Sequence, residues 1–228
     1  MRRLLRILLL RPIVWVAAKF SSKPDKNRIF KALSKLIGSI HDEPGKKGLL
    51  IPFDYKTGKF IIFSDQHKGR RNGADDFMQA EHNYLAALEY YYHQDFYFIN
   101  LGDSEELWEN NLWQVKKKNK ATFEAEKKFL EHNRYIKIFG NHDLFWDNDP
   151  LAWWQLKSIY GEKVKVYEGV VLLTETPAPN PQSTNSQLTI FLTHGHQGDA
   201  SSDGNWFSKF FVAKIWAPLQ AFLRINPN

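Results

Sequence analysis

Cysteine is absent from this 228-residue chain. That excludes a disulfide framework and every thiolate metal site, so any metal must be held by oxygen and nitrogen. Also absent is an uninterrupted apolar run of about 20 residues, the length a membrane-spanning helix needs. The most apolar stretch, MRRLLRILLLRPIVWVAAKF at the N-terminus, is broken by Arg6 and Arg11. A basic excess over the main body is missing too. The net charge is +6, but residues 1–48 hold 12 Lys/Arg against 3 Asp/Glu, which leaves 19 against 22 for the rest. A nucleic-acid groove needs a positive field along its path, so nucleic acid is not expected as a partner. No internal repeat is visible.

What is present is a globular composition, 43% hydrophobic and 15% aromatic, which excludes a disordered chain. The length suits one sizeable α/β domain. Residues 1–20 place Arg2, Arg3, Arg6 and Arg11 among leucines and Trp15. Arginines of that kind meet anionic headgroups while the apolar side chains enter the interface. The expectation is a cytoplasmic protein peripheral to an anionic membrane surface. A helix packed on the protein's own body is one alternative. A signal cleaved near Val16-Ala17-Ala18 is another, and the arginines inside the apolar part argue against it.

Residues 21–58 read as a connector that carries one helix, KNRIFKALSKLIGSI, and a loop at Pro44-Gly45. The domain proper is expected over 59–228. It opens with a buried strand, KFIIFSD. A turn, RRNGADD, follows, in which Asp75 or Asp76 caps a helix from Phe77. Next come a strand, FYFINL, a charged helix, KATFEAEKKFLEH, and a strand, RYIKI. A helix near PLAWWQLKSIYG precedes KVKVYEGVVLLTE, a polar loop from Pro177 to Gln187, and LTIFLTHGHQGD. KKKNK at 116–120 reads as a solvated loop. Strands alternating with helices indicate a layered α/β domain.

Polar residues of one chemistry stand where the strands stop: Asp65 and His67, Asp103, Asn141 and His142, and His194. Side chains at strand ends of an α/β sheet converge on one rim, where ligands bind. Carboxylate, amide oxygen and imidazole suit Mn, Fe, Zn or Mg. Asp-x-His on a strand end would let both side chains point one way, because alternate residues share a face. Asp65-x-His67 and Gly102-Asp103 are weak signals singly, whereas Gly140-Asn141-His142-Asp143 after an apolar strand is strong. His41, His82, His93 and His132 fall away from the rim and read as surface or core histidines.

The ordered set DQH, GDSEE, GNHD and THGH resembles the motifs of calcineurin-like metallophosphoesterases over about residues 59–200. The resemblance implies a two-sheet β-sandwich flanked by helices and two divalent metals, Mn foremost. Asp65, His67 and Asp103 would hold one metal. Asp103 would bridge to a second, held also by Asn141 and His194. His142 would be the general acid, with Asp143 orienting or polarising it. A hydroxide activated by the metals would attack a phosphoester or pyrophosphate. LGDSEELW and HGHQGDASSD look nearest to UDP-2,3-diacylglucosamine pyrophosphatase-like members, which implies a nucleotide-linked lipid as substrate. In that reading the apolar side chains of WFSKFFVAKIWAPLQAFL, residues 206–223, line an acyl groove, with core packing as the alternative. His142 stands where that subgroup usually has Arg, and the N-terminal extension is longer. A nuclease or phosphatase of the same superfamily, or a non-catalytic scaffold, are the competing functions. The family pattern ends in Gly-His-x-His. Here Thr193 stands in place of the glycine, and the chain ends at RINPN. The expectation is therefore a fold incomplete at the C-terminus, in a fragment of a longer protein, with His196 outside the ligand set.

Overall fold

The computed structural model describes residues 24–161, 163–174 and 187–199, with 7–12, 14, 15, 19 and the single positions 210, 214, 216, 218 and 222. Helix α1 spans Lys26–Asp42 and starts where Asp25 Oδ1 accepts from the amides of Asn27 and Arg28. The capping carboxylate satisfies donors that the first helical turn leaves without partners. Strand β1, Gly48–Phe53, follows. Residues 21–58 are thus more than the expected connector, since they supply a helix and a strand to the body. Pro52 lacks an amide donor, which suits the edge place that β1 takes.

Strand β2, Phe60–Phe63, leads into helix α2, Phe77–His93. Asp75, not Asp76, makes the cap, accepting from the amides of Met78 at 3.2 Å and Arg71 at 2.6 Å. Then come β3, Tyr97–Leu101; α3, Leu112–Lys118; α4, Lys120–Glu131; and β4, Tyr135–Ile138. The KKKNK stretch is therefore not a loop. Lys116 to Lys118 close α3, where cations favour the negative end of the helix dipole, and Asn119 is buried between the two helices. Helix α5, Phe145–Asn148, and helix α6, Ala152–Tyr160, precede β5, Val166–Tyr167, β6, Gly169–Thr174, and β7, Thr189–Thr193. The apolar run at 164–174 is two strands that change sheets at Glu168.

The fold is α/β, with one parallel and one mixed sheet. The parallel sheet has the order β2-β3-β4-β5, and the mixed sheet has the order β1-β6-β7, with β7 antiparallel. Ile99, Ile136 and Ile138 of the parallel sheet share one buried cluster with Val170 and Leu172 of the mixed sheet. On its other face the mixed sheet meets Leu36 and Ile40 of α1 through Val171. Phe98 carries the outer face of the parallel sheet onto Leu88 of α2 and Phe129 of α4. Strands covered on both sides read as unbroken apolar runs, which is why GVVLLT has no alternation.

Among the described residues, no helix is long and apolar enough to cross a membrane. Arg2, Arg3 and Arg6, most of the polar loop and most of the 206–223 segment lie outside the described residues. Of the N-terminal stretch, Ile7, Leu8, Val14 and Trp15 are described and exposed. Phe222 is described and exposed as well.

Candidate metal centre

The chain leaves β2, β3 and β4 at the same end of the parallel sheet, and His194 follows the end of β7 in the other sheet. The loops after β2 and β3 run together. The amides of Asp65, His67 and Lys68 donate to the carbonyls of Gly102, Asp103 and Ser104. Asp65, His67 and Asp103 all have positive φ, at 57°, 47° and 48°. Their common direction therefore comes from left-handed residues and not from strand alternation. Each such residue costs about 1–3 kcal/mol, and strain of this kind collects at functional sites. The glycines are steric necessities. A Cβ on Gly140 would sit 2.2 Å from Asp103 Oδ1, and one on Gly102 would sit 2.8 Å from Gly140 N and from His194 Cδ2.

Two carboxylates and two imidazoles meet at this rim. His194 Nε2 lies 3.5 Å from Asp65 Oδ1 and 3.4 Å from Asp103 Oδ2. His67 Nε2 lies 3.8 and 3.7 Å from the same two oxygens. These gaps are long for hydrogen bonds. Two donors on one cation, each about 2.1 Å from it, lie roughly 3 to 3.5 Å apart, so the spacing is at or just beyond that of a coordination shell. Asp103 faces both imidazoles, and its other oxygen accepts from the His142 amide at 2.8 Å. Asn141 stands beside His142 on the same loop, its carbonyl accepting from Trp108 Nε1 at 2.6 Å.

The charges also fit a cation. Burial opposes protonation of His67, but Asp65, Glu106 and Asp103 outweigh it and raise its pKa to about 10. Burial likewise opposes protonation of His194, and Asp103 with Asp65 raises it to about 9. His194 and then His67 hold the Asp65 carboxyl far below the ordinary range. Asp103 resists burial and is lowered by His194, His142 and His67. Carboxylates that draw protons onto two imidazoles form a site short of positive charge. Oxygen and nitrogen donors with this deficit fit a divalent cation of the Mn, Fe, Zn or Mg type.

Sequence reasoning missed the role of Glu106. Its Oε2 lies 2.8 Å from His67 Nδ1 and 2.7 Å from His142 Nδ1, the latter out of line for a hydrogen bond. Burial opposes ionisation of Glu106, yet His142 and then His67 lower its pKa to about 2. Glu106 thus contacts both imidazoles, and His67, Glu106 and His142 stand close enough together to hold a cation, as do Asp65, Asp103 and His194. Trp108 stacks on His142 with centroids 4.1 Å apart and planes at 14°. Asp143, expected to orient or polarise His142, is engaged with backbone amides. Asp143 is fully buried and accepts from the amides of Gly140 at 2.5 Å and Ser104 at 3.1 Å, so it ties the two loops together. Burial, helped by Glu105 and Asp103 and opposed by Lys137, raises its pKa to about 6. A signal for Glu106 is present in GDSEELW, but only tertiary contact shows which Glu faces the histidines.

Behind the rim lies a second set of charges. Lys68, Glu105, Glu126 and Lys137 are all fully buried. Lys68 Nζ donates to Glu126 at 2.6 Å and lies 3.2 Å from Glu105, while Lys137 Nζ reaches both Glu105 oxygens at 3.0 and 2.9 Å. Tyr84, Tyr160 and Trp146 donate to the remaining carboxylate positions. His196 is buried 3.3 Å from His194 Nδ1, on the opposite ring atom from the one that faces Asp65 and Asp103. His41, His82, His93 and His132 are exposed, as expected. A cavity of about 550 Å³ opens beside the rim, lined by Asp65, His67, Glu106, Glu109 and His142 and walled by Phe63, Phe77 and Tyr84. No family model, no curated protein and no solved structure matches this chain.

Proposed function

We propose that this chain is a metal-dependent phosphoesterase of the calcineurin-like kind, acting on a phosphoester or pyrophosphate bond. The observation that carries the reading is the meeting on one rim of two groups able to hold a cation, Asp65 with Asp103 and His194, and His67 with Glu106 and His142. The two facing sheets with helices outside them agree with the fold that the motif resemblance implies. Asp65, His67, Asp103, His194 and Asn141 would hold two divalent cations. Divalent cations there supply positive charge against phosphoryl oxygens and a nucleophile at neutral pH.

The chain's own residues do the rest. Glu106 beside Nδ1 of His142 leaves Nε2 of that ring to carry a proton to the departing oxygen. Trp108 fixes the plane of the ring and, through Asn141 O, the loop that bears it. The apolar wall of Phe63, Phe77 and Tyr84 gives the cavity room for an apolar group beside the phosphoryl site. A nucleotide-linked lipid is the substrate that the closer motif resemblance suggests.

The test is metal content by elemental analysis after reconstitution with Mn, together with hydrolysis of an aryl phosphodiester. Stoichiometric metal with turnover is expected. His142→Ala should lower the rate on the order of 10²–10⁴-fold while leaving metal content near normal. The loss should be smaller for nitrophenolate, which needs little protonation, than for an alkoxide leaving group. A chain that retains no divalent metal, or that binds it without any hydrolysis, defeats the reading in favour of a scaffold.

A further inference from the structure

Helix α1 meets the loop that follows β7. Arg28 Nε donates to Gly198 O at 2.9 Å, across 170 residues of sequence. Gly198 lies against the same part of α1. Its φ is 80°, and a Cβ there would sit 2.9 Å from Arg28 O and 3.1 Å from Ala32 Cβ and Ile29 Cα. The approach therefore needs glycine twice, once for the left-handed backbone and once for room. Further along α1, Leu36 and Ile40 are buried with Val171, and Phe191 of β7 packs on the same cluster. Helix α1 thus supports both the strand that leads to His194 and the loop that leaves it.

The loop carries that contact inward. The Asp199 amide donates to His196 O at 3.1 Å, and the Gly195 amide donates to Gln197 Oε1 at 3.2 Å. His196 and Gln197 are buried, and His196 Nδ1 lies 3.3 Å from His194 Nδ1. Residues 194–199 are therefore a small tied unit, with His194 at one end and the α1 contact near the other. His194 belongs to the group with Asp65 and Asp103 that could hold a cation. The other group, His67 with Glu106 and His142, draws no residue from this loop. A disturbance at the α1 contact should therefore reach the first group and spare the second.

We infer that helix α1, through Arg28 and Gly198, positions His194 for the cation group it shares with Asp65 and Asp103. Arg28 and Gly198 are positioning residues, acting through the loop and not as ligands. The consequence for metal rests on the metal-dependent reading proposed above, whereas the contacts that cause it lie outside the rim.

The test reads the two groups separately. Arg28→Ala and Gly198→Ala, each made in the full chain, are titrated with Mn, with free Mn followed by electron paramagnetic resonance. One of the two sites should weaken, roughly tenfold or more in Gly198→Ala and less in Arg28→Ala, since loss of support behind a ligand commonly costs 10–100-fold in metal affinity. The other site should bind as in the parent chain. Leu88→Ala on α2, buried in a different cluster, is the control for lost stability. Its thermal melt should fall with both sites intact. In the metal-free chain, the ring ¹⁵N shifts of His194 should move in Arg28→Ala and Gly198→Ala, while those of His67 and His142 stay. Two sites weakened alike, or two sites unchanged, would overturn the inference. A parent chain that holds no Mn defeats the proposed reaction instead. The His194 shifts then decide the positioning by themselves, and shifts that do not move overturn it.

Discussion

Two sets of charged side chains lie a few residues apart in sequence and differ in one respect, closure. Lys68, Glu105, Lys137 and Glu126 form the inner set, with two positive and two negative groups at 2.6–3.2 Å. Tyrosine and tryptophan donors fill what is left of it. Asp65, His67, Asp103 and His194 form the outer set, at 3.4–3.8 Å, with carboxylates drawing protons onto the imidazoles. The inner set satisfies itself. The outer set is spaced for something between its members. Similar residue chemistry therefore yields a structural network in one place and a candidate site in the other, and the distances tell them apart.

The largest effect on turnover should come from Asp103→Asn, which leaves the His142 amide an acceptor but removes the charge shared by both imidazoles. Metal retention and hydrolysis should both vanish, while the fold persists. Elemental analysis beside a thermal melt checks this, and normal metal content in the variant would move Asp103 out of the site.

Breaking the inner set should show the reverse pattern. Lys137→Met leaves Glu105 buried with one cation in place of two, and removing one partner of a buried pair costs about 3–5 kcal/mol. The expected result is a large drop in denaturant midpoint, much larger than for Asp103→Asn. If the two variants lose equal stability, the contrast between closed and open sets fails.

Glu106→Gln should fall between them. Loss of a carboxylate behind a ligating imidazole commonly costs 10–100-fold in metal affinity or activity. Glu106→Ala should cost more than Glu106→Gln, and histidine ¹⁵N shifts should report reorientation at both His67 and His142. A change at one ring only would mean that Glu106 serves that histidine alone.

The smallest signal is a proton count. With pKa values raised to about 10 and 9, His67 and His194 are charged at neutral pH in the metal-free chain, and a cation must displace those protons. Because the folded pKa values lie above the ordinary imidazole value, metal retention should weaken as pH falls. Adding Mn in weak buffer at pH 7 should acidify the solution by about two protons per chain. An unchanged pH would mean that these imidazoles are already neutral or are not ligands.

Much of the candidate site is legible in the residues alone. A strand covered on both faces is an apolar run, and the first polar residues after it fall at the rim, so FIIF, YFINL, YIKI and TIFLT are enough to place Asp65, Asp103, Asn141 and His194. The helix over Phe77–His93 and its cap region are legible for similar reasons, through periodicity and a short acidic turn. Glu106 is not, because GDSEELW offers two adjacent glutamates and nothing local says that Glu105 turns to Lys137 while Glu106 turns to His67 and His142.

By itself, the sequence determined the alternation of strands and helices, the oxygen-and-nitrogen donor set and its order along the chain. These follow from local periodicity and residue chemistry. Tertiary structure alone decided that β1 joins the mixed sheet, that the run at 164–174 divides between two sheets, and that Lys68 and Lys137 are core residues. It alone left Trp153 and Trp154 outside. The physical reason is the same in each case. Burial of a charge depends on partners 32 to 58 residues away, such as Glu105 for Lys137 and Glu126 for Lys68, and no local pattern encodes those meetings.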